Sequence, residues 1–207
     1  EVFARLNAST PLTLIQKSRT EMGTELAEWT RKASQCDFLQ HGVSLTTAQA
    51  RRESELEILL QSMLLTDAKD SDYDYKAISM REVMKYCKDI RGNYAENRRE
   101  QIMSTLDYLS EAFVEKHKFL KKSNVPMVFI MGNLAMQKDI KPSDFKTFID
   151  SFAGSECLEY EVNTGSGNIK RIKTEGRLMA MFKCFKDYFK LPDEEGFTPI
   201  GSNKDAA

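Results

Sequence analysis

The chain has 207 residues, long enough to bury a sizeable core as one large or two small domains. Thirty basic side chains against 31 acidic ones give a net charge of −1, so no global field recruits nucleic acid or a membrane surface, and any anion site has to be local. Four cysteines without a C-x-x-C pair, and only two histidines, argue against a zinc site or a disulfide framework and for reduced thiols in a cytoplasmic protein.

The chain opens on an apolar stretch, with Val2, Phe3 and Leu6 around Arg5 and Asn7. The first residue is Glu1 rather than Met, and a longer parent protein is expected. Thr13 is placed to cap a helix through Leu14 and Ile15, and Met22, Leu26 and Trp29 continue an apolar spacing of three to four past Gly23. Trp29, the only tryptophan, reads as a core anchor. Cys36 to Leu45, with His41-Gly42, reads as a loop. Thr46-Thr-Ala-Gln49 then has the form of a capping box, and the helix after it carries Leu56, Leu59, Leu60, Met63 and Leu64 on one stripe.

Asp67, Asp70, Asp72 and Asp74 fall close together. The glycine and closing glutamate of a calcium loop are absent at the required positions, so a solvated loop is the reading. Ser79 with Glu82 has the form of a second capping box and opens a helix through Val83, Met84, Cys87 and Ile90 that stops near Gly92. Asn93 to Leu120 carries the longest pattern, with Ile102, Leu106, Leu109, Phe113 and Leu120, and predicts one long amphipathic helix with His117 and its lysine neighbours at a solvated C-terminal end.

Val125 to Met131 has no polar side chain on any face. Asn124 as a cap and Pro126 in the first turn predict a helix over about 125–137, buried all round and too short for a bilayer, which takes roughly 20 apolar residues. Ile140-Lys-Pro-Ser143 gives a turn and cap before a helix with Phe145, Phe148, Ile149 and Phe152 that ends at Gly154. The stretch Asn163-Thr-Gly-Ser-Gly-Asn168 followed by Lys170, Arg171 and Lys173 reads as a flexible loop with a positive patch. The last helix, from about Thr174 to Lys190, has Leu178, Met181, Phe182, Phe185 and Phe189 on one face and ends before Pro192. The pattern is all-α: an irregular multi-helix bundle around the 125–137 helix, with residues 12–191 as one helical domain and 192–207 as a polar tail.

No Walker loop, G-x-S-x-G or H-E-x-x-H is present, so no catalytic residue and no metal ligand is assigned. The strongest local candidate for chemistry is the glycine-rich loop flanked by Lys170, Arg171, Lys173 and Arg177, a candidate contact for a phosphate of a nucleotide or of DNA. Solvated lysines on a mobile loop are the plain alternative.

Phe3-Ala-Arg-Leu-Asn7 followed by Pro11-Leu-Thr13 resembles the I-F-x-R-L-N…P-L-T/S stretch of the ParB/sulfiredoxin-like domain-of-unknown-function family, found in GmrSD-type modification-dependent restriction enzymes and related phage-defence proteins. Arg51-Arg-Glu-Ser-Glu-Leu56, the 125–136 helix with Phe145 and Phe148, and the Asn163 loop before Arg177 extend the similarity over about residues 2–189. In that family a small α/β half carries an Asp-Gly-Gln-Gln-Arg motif linked to nucleotide binding and hydrolysis, and a helical half packs behind it. This chain lacks the motif and looks like the helical half, with residues 1–11 as a remnant of the α/β half.

The resemblance implies that Arg5 and Asn7 border the nucleotide pocket; local pairing of Arg5 with a carboxylate and of Asn7 with turn backbone stays open. It also implies a parent that is an NTPase or nuclease using NTP with magnesium. The chain alone is then expected to be inactive, with the missing nucleotide domain and DNA as partners, no membrane, and a homo-oligomer as an open arrangement. A free-standing helical protein-interaction module without nucleotide chemistry is the alternative.

Overall fold

The computed structural model describes residues 12–69 and 73–192. Arg5, Asn7, Asp70 and Asp72, the expected remnant over 1–11, and the polar tail beyond 192 lie outside the described residues. Among the described residues the chain is helical, with one isolated antiparallel bridge between Ala77 and Lys170. The all-α class expected from the periodicity is what the chain adopts. None of these helices is long and apolar enough to cross a membrane.

Helix α1 (Leu14–Met22) starts as the sequence indicates: Gln16 N–H donates to Thr13 Oγ1, and Thr13 N–H donates back to Gln16 Oε1. The apolar spacing past Gly23 belongs to a second helix, α2 (Thr24–Ala33), because Gly23 takes φ of 78°, which breaks the axis at low steric cost. The expected loop after Cys36 contains a single π-helical turn at Phe38–Gly42. A Cβ on Gly42 would lie 2.8 Å from the Phe113 carbonyl oxygen, so the close approach requires glycine. The Thr46/Gln49 capping box forms but opens only a one-turn helix, α3 (Thr47–Ala50), before α4 (Ser54–Lys69).

The stripe read for α4 is wider in the structure. Ile58, Leu65 and Ala68 are buried as well as Leu56, Leu59, Leu60, Met63 and Leu64, so α4 is covered on almost every side. It packs on α5 (Met80–Asp89) and on α7 (Val125–Gln137), the apolar helix anticipated as the centre. Residues 125–133 of α7 are all buried, and each large apolar side chain among them contributes about 1.5–3 kcal/mol relative to exposure. Asn124 does not cap α7: its amide donates to Phe119 O and its Oδ1 accepts from Tyr160 O–H, so the side chain joins loops instead. Lys141 precedes α8 (Pro142–Gly154) without a side-chain cap, and Pro142 sets the first turn.

The long helix expected over 93–120 is shorter. Helix α6 (Glu96–Ala112) stops where Phe113 turns to φ −127°, ψ 74°. Leu120 is buried, as its spacing suggested, but from a loop that folds back onto the π-turn: His117 N–H donates to Gly42 O at 3.0 Å and Ser44 N–H to Leu120 O at 2.9 Å. His117 is therefore not a solvated helix end. Its Nε2 lies 2.7 Å from Asp150 Oδ1, while Phe119 N–H donates to its Nδ1. After the one-turn α9 (Leu158–Glu161), helix α10 (Arg171–Phe189) begins a few residues earlier than its apolar pattern, because Arg171 N–H donates to Lys76 O at the bridge. The phenylalanines of α8 and α10 meet as one aromatic cluster, with Phe148 against Phe145, Phe152, Phe185, Tyr188 and Phe189.

Candidate functional site

The four basic residues singled out around the glycine loop take different roles. Arg171 pairs with Glu175 at 2.8 Å and with Asp74, and its guanidinium stands over the Tyr75 ring; the hydrogen bond it donates to Glu175, with Asp74 beside it, raises its pKa. Lys173 Nζ donates to Thr164 O and Ser166 O, closing the loop on its own helix. Lys170 is exposed and contributes its backbone to the bridge with Ala77. The loop is thus stitched at three places. Gly176 belongs to the same fastening, since the Asn163 amide fills the space where a Cβ would stand and donates to Glu159 O.

Arg177 is the unusual member. It is 1% exposed, donating from Nη1 to Ser123 O at 2.6 Å and from Nη2 to Asn168 O at 2.8 Å, while its buried Nε has no hydrogen-bond partner. Burial lowers its pKa, opposed by Tyr160 and Tyr75, but a guanidinium stays charged across the physiological range. The side chain reaches Ser123, 54 residues away in sequence, and so ties the loop before α7 to the end of the glycine loop.

Those two segments form the walls of a cleft of about 470 Å³, completed by α3, α4 and the segment after the bridge. Its lining combines Lys121, Lys122 and Arg177 with the amides of Gln49, Gln61 and Asn168 and one carboxylate, Glu57. Glu57 is neutralised by Lys122 at 2.7 Å, and Gln61 donates to Ile78 O at 2.8 Å, so both are oriented before any ligand arrives. Lys121 is exposed, and among the described residues its ammonium has no ion pair. The site therefore offers one loose cation at the rim, one neutralised ion pair, and amides able to both donate and accept. That combination suits an anionic group carrying a hydrogen-bonding edge.

Two other polar clusters are occupied internally. Asp67, expected in a solvated loop, is instead buried on α4 and accepts from Tyr86 O–H at 2.6 Å, with Arg98 3.9 Å away on α6; the group joins three helices. Burial raises the Tyr86 pKa well above its ordinary value, with Tyr94 and Asp67 adding to it. The His117–Asp150 pair resembles half of a catalytic triad. The backbone amide of Phe119 occupies the nitrogen that would have to accept a nucleophile's proton, so the pair acts as a loop clasp. Among the described residues no group of three His, Cys, Asp or Glu side chains could hold a metal ion.

Sequence reading found the glycine loop and the lysines near 116–122 separately; the fold brings Asn168 and Arg177 from the first beside Lys121 and Lys122 from the second. Gln49, Glu57 and Gln61 were missed as site residues. The available signal was Gln61, a carboxamide that with Ser62 interrupts the apolar run of α4. No protein-family model, curated protein or solved structure matches the chain.

Proposed function

We propose that the chain is the helical half of a nucleotide-dependent DNA restriction or phage-defence protein, supporting a ParB-like NTP-binding domain and lending its cleft to a phosphate of nucleotide or DNA. The observation that carries this reading is the junction at Thr13. Leu12 and Leu14, on either side of the capping threonine at the first described helix, are 56% and 39% exposed, a few positions after Phe3-Ala-Arg-Leu-Asn7 in sequence. Paired leucines exposed at a helix entrance suit a surface covered by a neighbouring domain. The cleft supports the second part of the proposal, because Lys121 at its rim is placed to meet a phosphate while Lys122 is already committed to Glu57.

The test compares this chain with a longer protein carrying the upstream Asp-Gly-Gln-Gln-Arg domain. The longer protein hydrolyses NTP and the chain alone does not; robust turnover by the chain alone overturns the reading. For DNA, duplex binding should weaken with salt by a log–log slope of about −0.9 per phosphate contact, and Lys121→Gln should reduce that slope by about one contact. A flat salt response removes DNA from the proposal.

A second reading, a free-standing interaction module, is favoured by the apolar side chains of Val114, Leu158, Val162 and Ile172, all strongly exposed and Ile172 to 77%. An upstream Asp-Gly-Gln-Gln-Arg segment in the same reading frame decides for the first reading, and a start codon just before Glu1 decides for the second.

A further inference from the structure

Cys157 and Cys184 are 27 positions apart in sequence, yet the Cys184 thiol donates to Cys157 Sγ at a sulfur–sulfur distance of 3.9 Å. Cys157 is the residue just before the one-turn α9, its side chain making no capping bond, and Cys184 lies on α10, two helices that pack on each other. The register is held from outside the pair: Lys183 Nζ meets Glu159 Oε1 at 2.8 Å, bridging the neighbours of both cysteines. Both thiols are half-buried, and Cys157 is flanked by the exposed Glu156 and Leu158, so a small reagent can reach it. Cys36 and Cys87 have no such neighbouring thiol, and Cys87 is fully buried.

We propose that Cys157 and Cys184 form a dithiol site that a small-molecule disulfide oxidises reversibly to an intramolecular disulfide. Closing the bond requires the sulfurs to approach from 3.9 Å to about 2.05 Å, a movement that side-chain rotation and the short α9 can supply. The reaction balances as two exchanges. The Cys157 thiolate attacks one sulfur of the external disulfide, forming a mixed disulfide and expelling one small thiolate. Cys184, deprotonated in turn, attacks Cys157 Sγ and expels the second. The two protein thiols lose two electrons in all, the external disulfide gains them, and the two thiol protons pass to the two leaving thiolates.

The order follows from the surroundings. Burial, with the adjacent Cys157, pushes the Cys184 thiol up to about 11, so it enters second, once Cys157 has become the electrophile. The bond would close a ring of chain that includes Tyr160, which reaches Asn124, and Asn168, which accepts from Arg177. Oxidation therefore fixes the glycine-loop wall of the cleft, Arg177 included, and leaves Lys121 and Lys122 outside the ring.

The experiment treats the folded full chain with excess oxidised glutathione or, as an uncharged counterpart, 2-hydroxyethyl disulfide, followed by peptide mapping under non-reducing conditions. The expected product is a linked Cys157–Cys184 peptide, an intact mass lower by about 2 Da, and reversal by dithiothreitol. The oxidised chain should melt higher by roughly 5–10 °C, because the cross-link restricts the unfolded ensemble. Cys184→Ser should stop the reaction at a mixed disulfide on Cys157, and Cys157→Ser should leave Cys184 largely unmodified at neutral pH. Linkage that appears only in denaturant, mixed disulfides that persist in the wild-type chain, or no reaction at either thiol would each overturn the proposal.

Discussion

Arg177 provides the sharpest test of how the cleft is built. Its guanidinium makes two short charge-assisted bonds, 2.6 Å to Ser123 O and 2.8 Å to Asn168 O, each worth about 1.5–3 kcal/mol. The gross loss on removing them is then about 3–6 kcal/mol. Two effects reduce it. Replacing a buried cation relieves a desolvation cost of several kcal/mol, and both carbonyls belong to residues lining the cleft, where water can reach them. Arg177→Met keeps much of the volume and isolates the hydrogen bonds, with an expected loss of about 2 kcal/mol; Arg177→Ala adds a cavity and reaches about 3 kcal/mol. With a urea m-value of about 2 kcal/mol/M, the midpoints fall by about 1 M and 1.5 M, with m unchanged. Amide exchange in the glycine loop should accelerate in both variants, since Asn168 loses its tether. If Arg177→Met unfolds within about 0.5 kcal/mol of the wild type, the carbonyl pairing contributes nothing net and the account of the cleft walls is wrong.

Gly42→Ala would force a Cβ to within 2.8 Å of a backbone oxygen, which cannot rotate away, so a cost of about 2 kcal/mol and a drop in Tm of roughly 6 °C are expected by calorimetry; a shift under about one degree refutes the close approach. Asp150 sets a pH dependence. Burial raises its carboxyl pKa, but the hydrogen bonds from Lys146 and His117 outweigh that and leave it below its ordinary value. A carboxylate depressed in the folded state contributes stability that is present above its unfolded pKa, about 3.9, and is lost as pH falls through the lower folded value. Urea midpoints measured from about pH 6 to 2 should therefore fall less steeply for Asp150→Asn than for the wild type, and parallel curves would exclude the pair as a contributor.

The helix cap at Thr13, the capping box at Thr46, the all-round burial of 125–131 and the apolar face of the last helix were legible in the sequence because each depends on neighbours within a few residues. Periodicity alone overran where the chain bends. It joined α1 to α2 across Gly23 and carried α6 through to Leu120, since a residue buried from a folded-back loop leaves the same spacing as one buried from a helix. Asn124 shows the same limit for caps: the residue type suits a helix start, yet Phe119 and Tyr160 occupy its side chain.

The sequence by itself determined the helical class, the principal buried segments and the absence of a global charge field, because residue spacing and side-chain chemistry are properties of the chain before it folds. Only the tertiary structure decided which cations were available. Arg171, Lys173 and Arg177 look alike in a line of text; their acceptors are carboxylates and carbonyls delivered by other segments, up to 97 residues away for Asp74. The pairing of Cys157 with Cys184 has the same origin, since it exists only because α9 packs on α10.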